Sequence, residues 1–316
     1  MPYGTCSSRN IYTLTSVLLF VRIKSMRYTK KQFEAEYPND DACLEAVFQN
    51  RFGDLKICPK CGVSDTKFYR VKKRQCYACM HCGYQLHPLA GTIFRKTTTP
   101  LKDWFYAIYL FSVSKNGVSA KELERHLGVT YKTAWRMAKQ IRLLMAAEMG
   151  LLSGELEVDE TYIGGKGSNK KKFRNTNRDY QQVVFGMVER GGSAIAKHVK
   201  SSGARAILPE IQKGVQLNSQ IYSDEYGVYK TLNRIGYQHA TVNHRMGQYR
   251  KGKAHTQTIE GLWSQMKRSM DGTYHVVSPK YLQSYVDEFV FRYNFRDVSV
   301  CPVLLELAGK PLRLTA

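Results

Sequence analysis

Acidic residues are scarce in this chain. Only 26 Asp and Glu stand against 48 Lys and Arg, which leaves a net charge of +22 over 316 residues. Self-repulsion on this scale destabilises a compact chain, so the imbalance points to a polyanionic partner. The scarcity is also local. No acid occurs from Thr66 to Lys102, where there are eight Lys and Arg. None occurs from Tyr226 to Ile259, where there are six, with three His. Gly164–Arg178 carries six more without an acid, and its glycines and lysines predict a flexible loop. No apolar run approaches the roughly 20 residues of a bilayer span. Basic residues spread along the whole chain, which argues against a membrane partner. Nine prolines and 24 scattered glycines exclude collagen-like and low-complexity classes, and 12% aromatics exclude disorder. There is no internal repeat. The eight cysteines lack the spread of a secreted disulfide scaffold, because five fall between Cys58 and Cys82. Such clustering reads as a reduced compartment and a metal site.

The apolar fraction, 43%, suffices for a sizeable core, and the length suggests two domains or one with appendages. Residues 1–25 match the rest poorly, and Met26 opens a more regular helical pattern. They are expected to be a start-site extension, with N-terminal helices over 26–53 around Pro38. Residues 54–96 are strand-and-turn material. Thr99 with Pro100 predicts a helix start, and Trp104, Phe105, Ile108 and Phe111 form its apolar face. Ser119 and Glu122 predict a capping box, Gly128 a stop, and Thr130 the next cap. From Glu155 the apolar period changes from 3.6 to 2, with strands expected at Glu155–Tyr162, Val183–Glu189, Ala194–Val199 and Gln220–Ser223. Helices are expected at Ala204–Gln212, Tyr226–Ile235, Glu260–Met270 and Tyr281–Arg292, and a strand near Gln238–Asn243. This order describes an α/β layered domain.

Four constellations carry chemistry. Cys58, Cys61, Cys79 and Cys82 form two C-x2-C pairs seventeen residues apart, the spacing of a structural zinc ribbon. Four thiolates leave no open position for catalysis; Cys76, His81 and His87 are spare candidates. The second is Ser119–Met145, two helices about a short turn, which reads as a helix-turn-helix. Its second helix would present Tyr131, Lys132, Thr133, Arg136 and Lys139 to the DNA major groove. The plain alternative is a helical hairpin. The third is Asp159 and Asp224 at strand ends with Glu260 on a helix. Such carboxylates hold Mg²⁺ for two-metal phosphoryl chemistry. Lys267, two turns beyond Glu260, could reach a DNA phosphate. Gln257 and Glu225 compete with Glu260 as third ligand, but only Glu260 combines full charge with that helix face. The fourth is charge geography, since Asp224 and Glu260 bracket an acid-free basic segment.

These motifs resemble the insertion-sequence transposases of the DDE superfamily that carry an N-terminal zinc ribbon, the ISXO-two-like type. The likeness covers about residues 27–308. It rests on Cys-Pro-Lys-Cys-Gly at 58–62, Tyr-Ala-Cys-Met-His-Cys at 77–82, Gly-Thr-Ile-Phe at 91–94, and Leu-Gly-Val-Thr-Tyr-Lys-Thr-Ala-Trp at 127–135. It also rests on Val-Asp-Glu-Thr-Tyr-Ile-Gly-Gly at 158–165, Thr-Ile-Glu-Gly-Leu-Trp-Ser at 258–264, and Glu-Phe-Val-Phe-Arg-Tyr-Asn at 288–294. The resemblance implies a zinc ribbon (54–96), a helix-turn-helix domain (97–150), a ribonuclease-H-like catalytic domain (151–308) and a tail (309–316). It implies cleavage of double-stranded DNA at transposon ends and joining of the 3′-hydroxyl to target DNA. Mg²⁺ or Mn²⁺ would serve the acidic triad Asp159, Asp224 and Glu260, with Lys267 as the accompanying base and Zn²⁺ in the ribbon. Some relatives carry Asn where Gln257 stands, so that amide is a further site candidate. A cytoplasmic, nucleoid-associated prokaryotic protein is expected, as a homo-oligomer, because two transposon ends must be held at once. The rivals are a non-catalytic DNA-binding regulator and a hydrolytic nuclease of the same fold. The regulator would leave the acids and Lys267 without a role.

Overall fold

The computed structural model describes residues 28–146, 150–164, 181–243, 250 and 252–312. The expected start-site extension and nearly all of the expected loop Gly164–Arg178 lie outside the described residues. The chain divides into two units. One gathers residues from Ala146 to Asn294, and the other gathers those up to Met145 with those from Phe295 onward.

In the N-terminal unit, helices α1 (Lys30–Glu36) and α2 (Asp40–Phe52) flank Pro38. Thr29 caps α1 through a reciprocal capping box with Gln32, and Asn39 caps α2 by accepting from the Ala42 amide. A three-stranded antiparallel sheet follows, β1 (Phe68–Arg70), β2 (Tyr77–Cys79) and β3 (Gln85–Leu86). It is tied to α2 by Tyr77, whose ring stacks on Phe48 at 3.8 Å and whose hydroxyl donates to Glu45 at 2.6 Å. Helix α3 (Leu101–Val113) buries Trp104, Phe105, Ile108 and Phe111. It begins one residue later than expected. Pro100 takes the cap position, and no side-chain cap bond is made, so Thr99 is not the cap. Helices α4 (Ala120–Leu127) and α5 (Tyr131–Met145) are joined by Gly128, Val129 and Thr130. Gly128 takes the left-handed conformation that ends α4, φ 64°.

The other unit is a mixed five-stranded sheet in the order β6-β5-β4-β7-β8. Its strands are β4 (Glu155–Ile163), β5 (Gln182–Glu189), β6 (Ala194–Val199), β7 (Gln220–Ser223) and β8 (Gln238–Thr241). The first three pair antiparallel; β7 and β8 add in parallel on the other side of β4. Strand β5 is apolar at nearly every position because both faces are covered. Helix α6 (Ala204–Gly214) and the 3-10 turn Gly227–Ile235 cover one face through Ile207, Ile211, Tyr229 and Leu232. Helices α7 (Gln257–Ser269) and α8 (Leu282–Asn294) cover the other through Ile259, Leu262, Trp263, Met266 and Val286. The segment Tyr226–Ile235, expected as a helix, is 3-10 throughout its ordered length.

The final helix, α9 (Val300–Gly309), corrects the expected catalytic boundary at 308. Its buried Val303, Leu304 and Ala308 belong with the N-terminal unit, where the helix packs on α2, α3 and α5. A unit assembled from discontinuous segments leaves no boundary signal in sequence, because apolar periodicity names a buried face but not its partner.

Candidate functional site

The four cysteines sit on two matching turns. In each C-x2-C-Gly pentad the glycine amide donates to the carbonyl of the first cysteine, Gly62 to Cys58 and Gly83 to Cys79, both at 3.0 Å. Both glycines have φ 70° with open space where a Cβ would be, so conformation alone requires them. The Sγ atoms stand 3.7 Å apart for Cys58 and Cys82, and 3.9 Å for Cys61 and Cys79. A tetrahedral ion with metal–sulfur bonds of about 2.3 Å needs sulfurs about 3.8 Å apart. All four lie within 4.8 Å of one another, so the donor set fits zinc. The Thr66 hydroxyl, 3.4 Å from Cys79 Sγ, is the main influence lowering that thiol to about 6, with the Cys82 and His81 amides assisting. The Cys61 amide lowers Cys58 in the same direction. Cys58 and Cys79 thereby favour the thiolate ligand form, whereas the Cys61 thiol, against the Val63 amide, is pushed up to about 11 by burial and its neighbouring cysteines. The spare candidates take no part: Cys76 faces Gln85 Oε1 at 3.6 Å.

In α5 the expected DNA-facing residues are surface groups. Tyr131, Lys132 and Arg136 are exposed, while Thr133 and Lys139 are half-buried. Lys121 from α4 lies over the Tyr131 ring at 5.3 Å. Thr133 pairs with the capping Thr130. Arg136 donates to the Arg95 carbonyl at 3.2 Å, and Lys139 lies over Trp135.

The carboxylates gather at the centre of the larger sheet. Strands β4 and β7 run parallel, with Glu157 opposite Tyr222. Asp159 lies two residues further along β4, and Asp224 follows the last residue of β7, near enough for their charges to interact. The two acids feel one another. Burial first, then Glu160 and then Asp224, raise Asp159 from 3.8 to about 7. Glu160 is raised too, by burial and by Asp224, against the Tyr229 hydroxyl that donates to it at 2.6 Å. Trp263 on α7 donates its indole N–H to Asp159 Oδ2 at 3.1 Å. The benzene edge of the indole reaches Gly186, which pairs directly with Asp159 across β4 and β5. A Cβ at Gly186 would lie 2.5 Å from Trp263 Cζ2 and nearer still to Cη2.

Glu260 is exposed on α7, one turn before Trp263, and accepts from Thr256 Oγ1 at 2.8 Å. Gln257, Ser264 and Lys267 are exposed on the same side of that helix. Among the described residues the four cysteines alone close to within 4.8 Å as a set of three or more ligand groups, so Asp159, Asp224 and Glu260 do not form a single-ion cage. Asp159 and Asp224 offer the hard oxygen donors that Mg²⁺ or Mn²⁺ would take. Like-charged, desolvated acids also call for a cation.

What holds α7 over this site is a residue the sequence did not single out. Glu157 is fully buried on the same face of β4 as Asp159, two residues away. Its carboxylate accepts from the Thr258 and Ile259 amides at 2.7 and 3.0 Å, and from the Thr258 hydroxyl at 2.9 Å. It thereby caps a helix whose own cap residue, Thr256, makes no side-chain cap bond. Arg190 pairs with it at 2.8 Å, and His255 Nδ1 stands 3.1 Å away. Arg190 also pairs with Glu155, bonds the Lys253 and His255 carbonyls, and lies 4.0 Å over the Tyr222 ring. The strand parity of Glu157 with Asp159 was the signal available in sequence. The helix end it caps was not.

The fold and its sites define a two-part protein: a four-thiolate ribbon with helices, and a mixed α/β unit with clustered acids, of which Asp224 follows a strand end while Asp159, expected at one, lies mid-strand because β4 runs on to Ile163. Residues 151–294 match the ISXO2-like transposase domain, and residues 38–85 match the transposase zinc-ribbon domain. The α/β unit thus carries an ISXO2-like transposase domain, and the ribbon is a transposase zinc ribbon. It is 27% identical over 264 residues to an uncharacterized protein in transposable element ISH50 of Halobacterium salinarum, covering 77% of this chain and 87% of that one. Among solved structures, the Mos1 strand transfer complex matches with a TM-score of 0.30 at 10% identity, over 67% of this chain and 79% of that chain. A simian T-cell lymphotropic virus intasome in complex with PP2A regulatory subunit B56 gamma matches at 0.28 and 17%, over 58% of this chain and 65% of that one. No helix among the described residues is long and apolar enough to cross a membrane.

Proposed function

We propose that this chain is a metal-dependent DNA transposase that cleaves transposon ends and joins the freed 3′-hydroxyl to target DNA. The observation that carries the reading is a desolvated Asp159 within electrostatic reach of Asp224, bonded by Trp263 of the helix that also bears Glu260 and Lys267. The strand order, three antiparallel strands with two parallel ones added beside the first, supports the ribonuclease-H-like assignment. Asp159, Asp224 and Glu260 would hold two Mg²⁺ or Mn²⁺ ions. When bound, such ions supply activation of water and neutralisation of the leaving oxygen. The chain does the rest by placement. Trp263 fixes the Asp159 carboxylate, Glu157 fixes the start of α7, and Lys267 meets a phosphate along the bound strand. Attack is in line at phosphorus, first by water and then by the exposed 3′-hydroxyl, without a covalent enzyme intermediate. The ribbon, α4 and α5 bind the ends, with Tyr131, Lys132, Thr133, Arg136 and Lys139 toward the major groove. Holding two ends together calls for a homo-oligomer.

A supercoiled plasmid carrying the element's own terminal sequences, incubated with the protein and Mg²⁺, tests this reading. Nicked ends and joined products are expected. Nicking without joining would identify a hydrolytic nuclease, and binding without either would identify a regulator.

A further inference from the structure

A cleft of about 540 Å³ opens in the N-terminal unit beside the ribbon. Arg74, Arg95 and Lys96 form its rim, with Cys76, Leu89 and Phe94 below them. It lies within the stretch from Thr66 to Lys102 that holds no acid. All three rim cations are exposed, and none of them forms an ion pair among the described residues. Lys96 turns the chain in the left-handed region at φ 54°, a costly conformation for a residue with a Cβ. The rim joins α5 directly, because Arg136 is bonded to the Arg95 carbonyl. Cys76 and His87, left without a role as zinc ligands, both line this cleft.

Three exposed cations lining one cleft, with no ion-pair partner among the described residues and an apolar floor, form a site for a polyanion. We infer that this cleft binds the phosphodiester backbone of duplex DNA, flanking the base pairs presented to α5. The inference rests on the proposed function, since it specifies where the DNA runs beyond the recognition helix. A backbone contact lends affinity and salt dependence but little sequence preference.

The experiment is fluorescence anisotropy of a labelled duplex bearing the element's end, in a salt series from about 50 to 300 mM. The variant Arg74→Gln/Arg95→Gln/Lys96→Gln is compared with wild type and with Lys30→Gln/Lys31→Gln/Lys310→Gln, a surface control of equal charge loss in the same unit. Each phosphate contact contributes about 0.9 to the slope of log affinity on log salt, so three lost contacts should reduce it by roughly 2–3. Affinity near 150 mM salt should fall about tenfold or more, while the preference for the cognate end over a scrambled duplex stays within about twofold. The control should change the slope little. Equal zinc content and melting temperature verify the fold. Should the triple change disturb it, Lys96→Gln alone should lower the slope by about 0.9. Ethylation of phosphates on the wild-type complex should also block binding outside the segment covered by α5. An unchanged slope, an equal change in the control, or a collapse of sequence preference overturns the assignment. Wild-type protein that fails to bind the duplex at all overturns the transposase reading and this site with it; normal wild-type binding with an unaffected variant overturns the site alone.

Discussion

Replacing Gly186 with alanine should disable the site without touching a carboxylate. The new Cβ would stand 2.5 Å from Cζ2 of Trp263, whereas carbon atoms in contact prefer about 3.5–4.0 Å. The indole must therefore move by about 1 Å or more. It is 5% exposed and packed among Val184, Ile259 and Met266, so it has no free direction. Overpacking of this kind costs about 1–3 kcal/mol. Loss of the 3.1 Å bond to a buried carboxylate adds about 1.5–3 kcal/mol, and the stiffer unfolded chain returns up to about 1 kcal/mol. A net loss of about 1.5–6 kcal/mol follows, a fall in melting temperature of roughly 3–24 °C. The Trp263 N–H also holds Asp159 down, so its loss should raise Asp159 further and move the acidic limb of the cleavage pH profile upward. The double variant Gly186→Ala/Trp263→Phe should recover much of the stability, because the smaller ring makes room, but not the original pH profile. Thermal melts without added Mg²⁺, the ribbon zinc retained, and plasmid cleavage from pH 6 to about 9 read both effects. A Gly186→Ala protein with unchanged melting and an unchanged profile would refute the coupling of Gly186 to Asp159 through the indole.

Glu157→Gln should cost about 3–5 kcal/mol, because it leaves Arg190 without its buried partner, and should speed hydrogen exchange at Thr258 and Ile259; protection unchanged at both amides would remove its capping role. Glu260→Gln should abolish cleavage and joining while end binding survives, and Gln257→Ala should lower activity less; the reverse ranking in Mg²⁺ would hand the third ligand to the amide. In protein without Mg²⁺ the raised Asp159 stabilises most in its protonated form, below about 3.8, and that contribution is lost as pH rises through about 7. Asp159→Asn should therefore match wild type near pH 4 and exceed it by roughly 2–4 kcal/mol at pH 8 in urea melts; a gain at low pH instead would reverse the argument. Cys58→Ser or Cys79→Ser should lose zinc and soluble protein together, whereas a folded double variant at full zinc occupancy would show that the ribbon is held by other ligands.

The ribbon was legible in the chain because its constraints are local. Two C-x2-C pairs, each with its glycine, set their turns by backbone conformation alone, and a metal imposes its own spacing. The strands from Glu155 onward were legible too, since each apolar period of 2 is written within a few residues. The helix caps at Ser119 and Gly128 follow the same short-range logic. The acidic constellation was half legible: residue type beside strand and helix patterns named Asp159, Asp224 and Glu260, but nothing local brings Asp159 near Asp224, which the parallel pairing of β4 with β7 decides. Glu157 reads in sequence as an acid on the open face of a strand, and becomes a buried helix cap only when α7 arrives from 101 residues away. Gly186 reads as a break in a strand, and its purpose exists only because Trp263 lands on it. Val300–Gly309 shows the same limit. The sequence carried its apolar face, and only tertiary packing chose the N-terminal unit to cover it, because burial is favourable against any complementary surface and the chain alone does not name which.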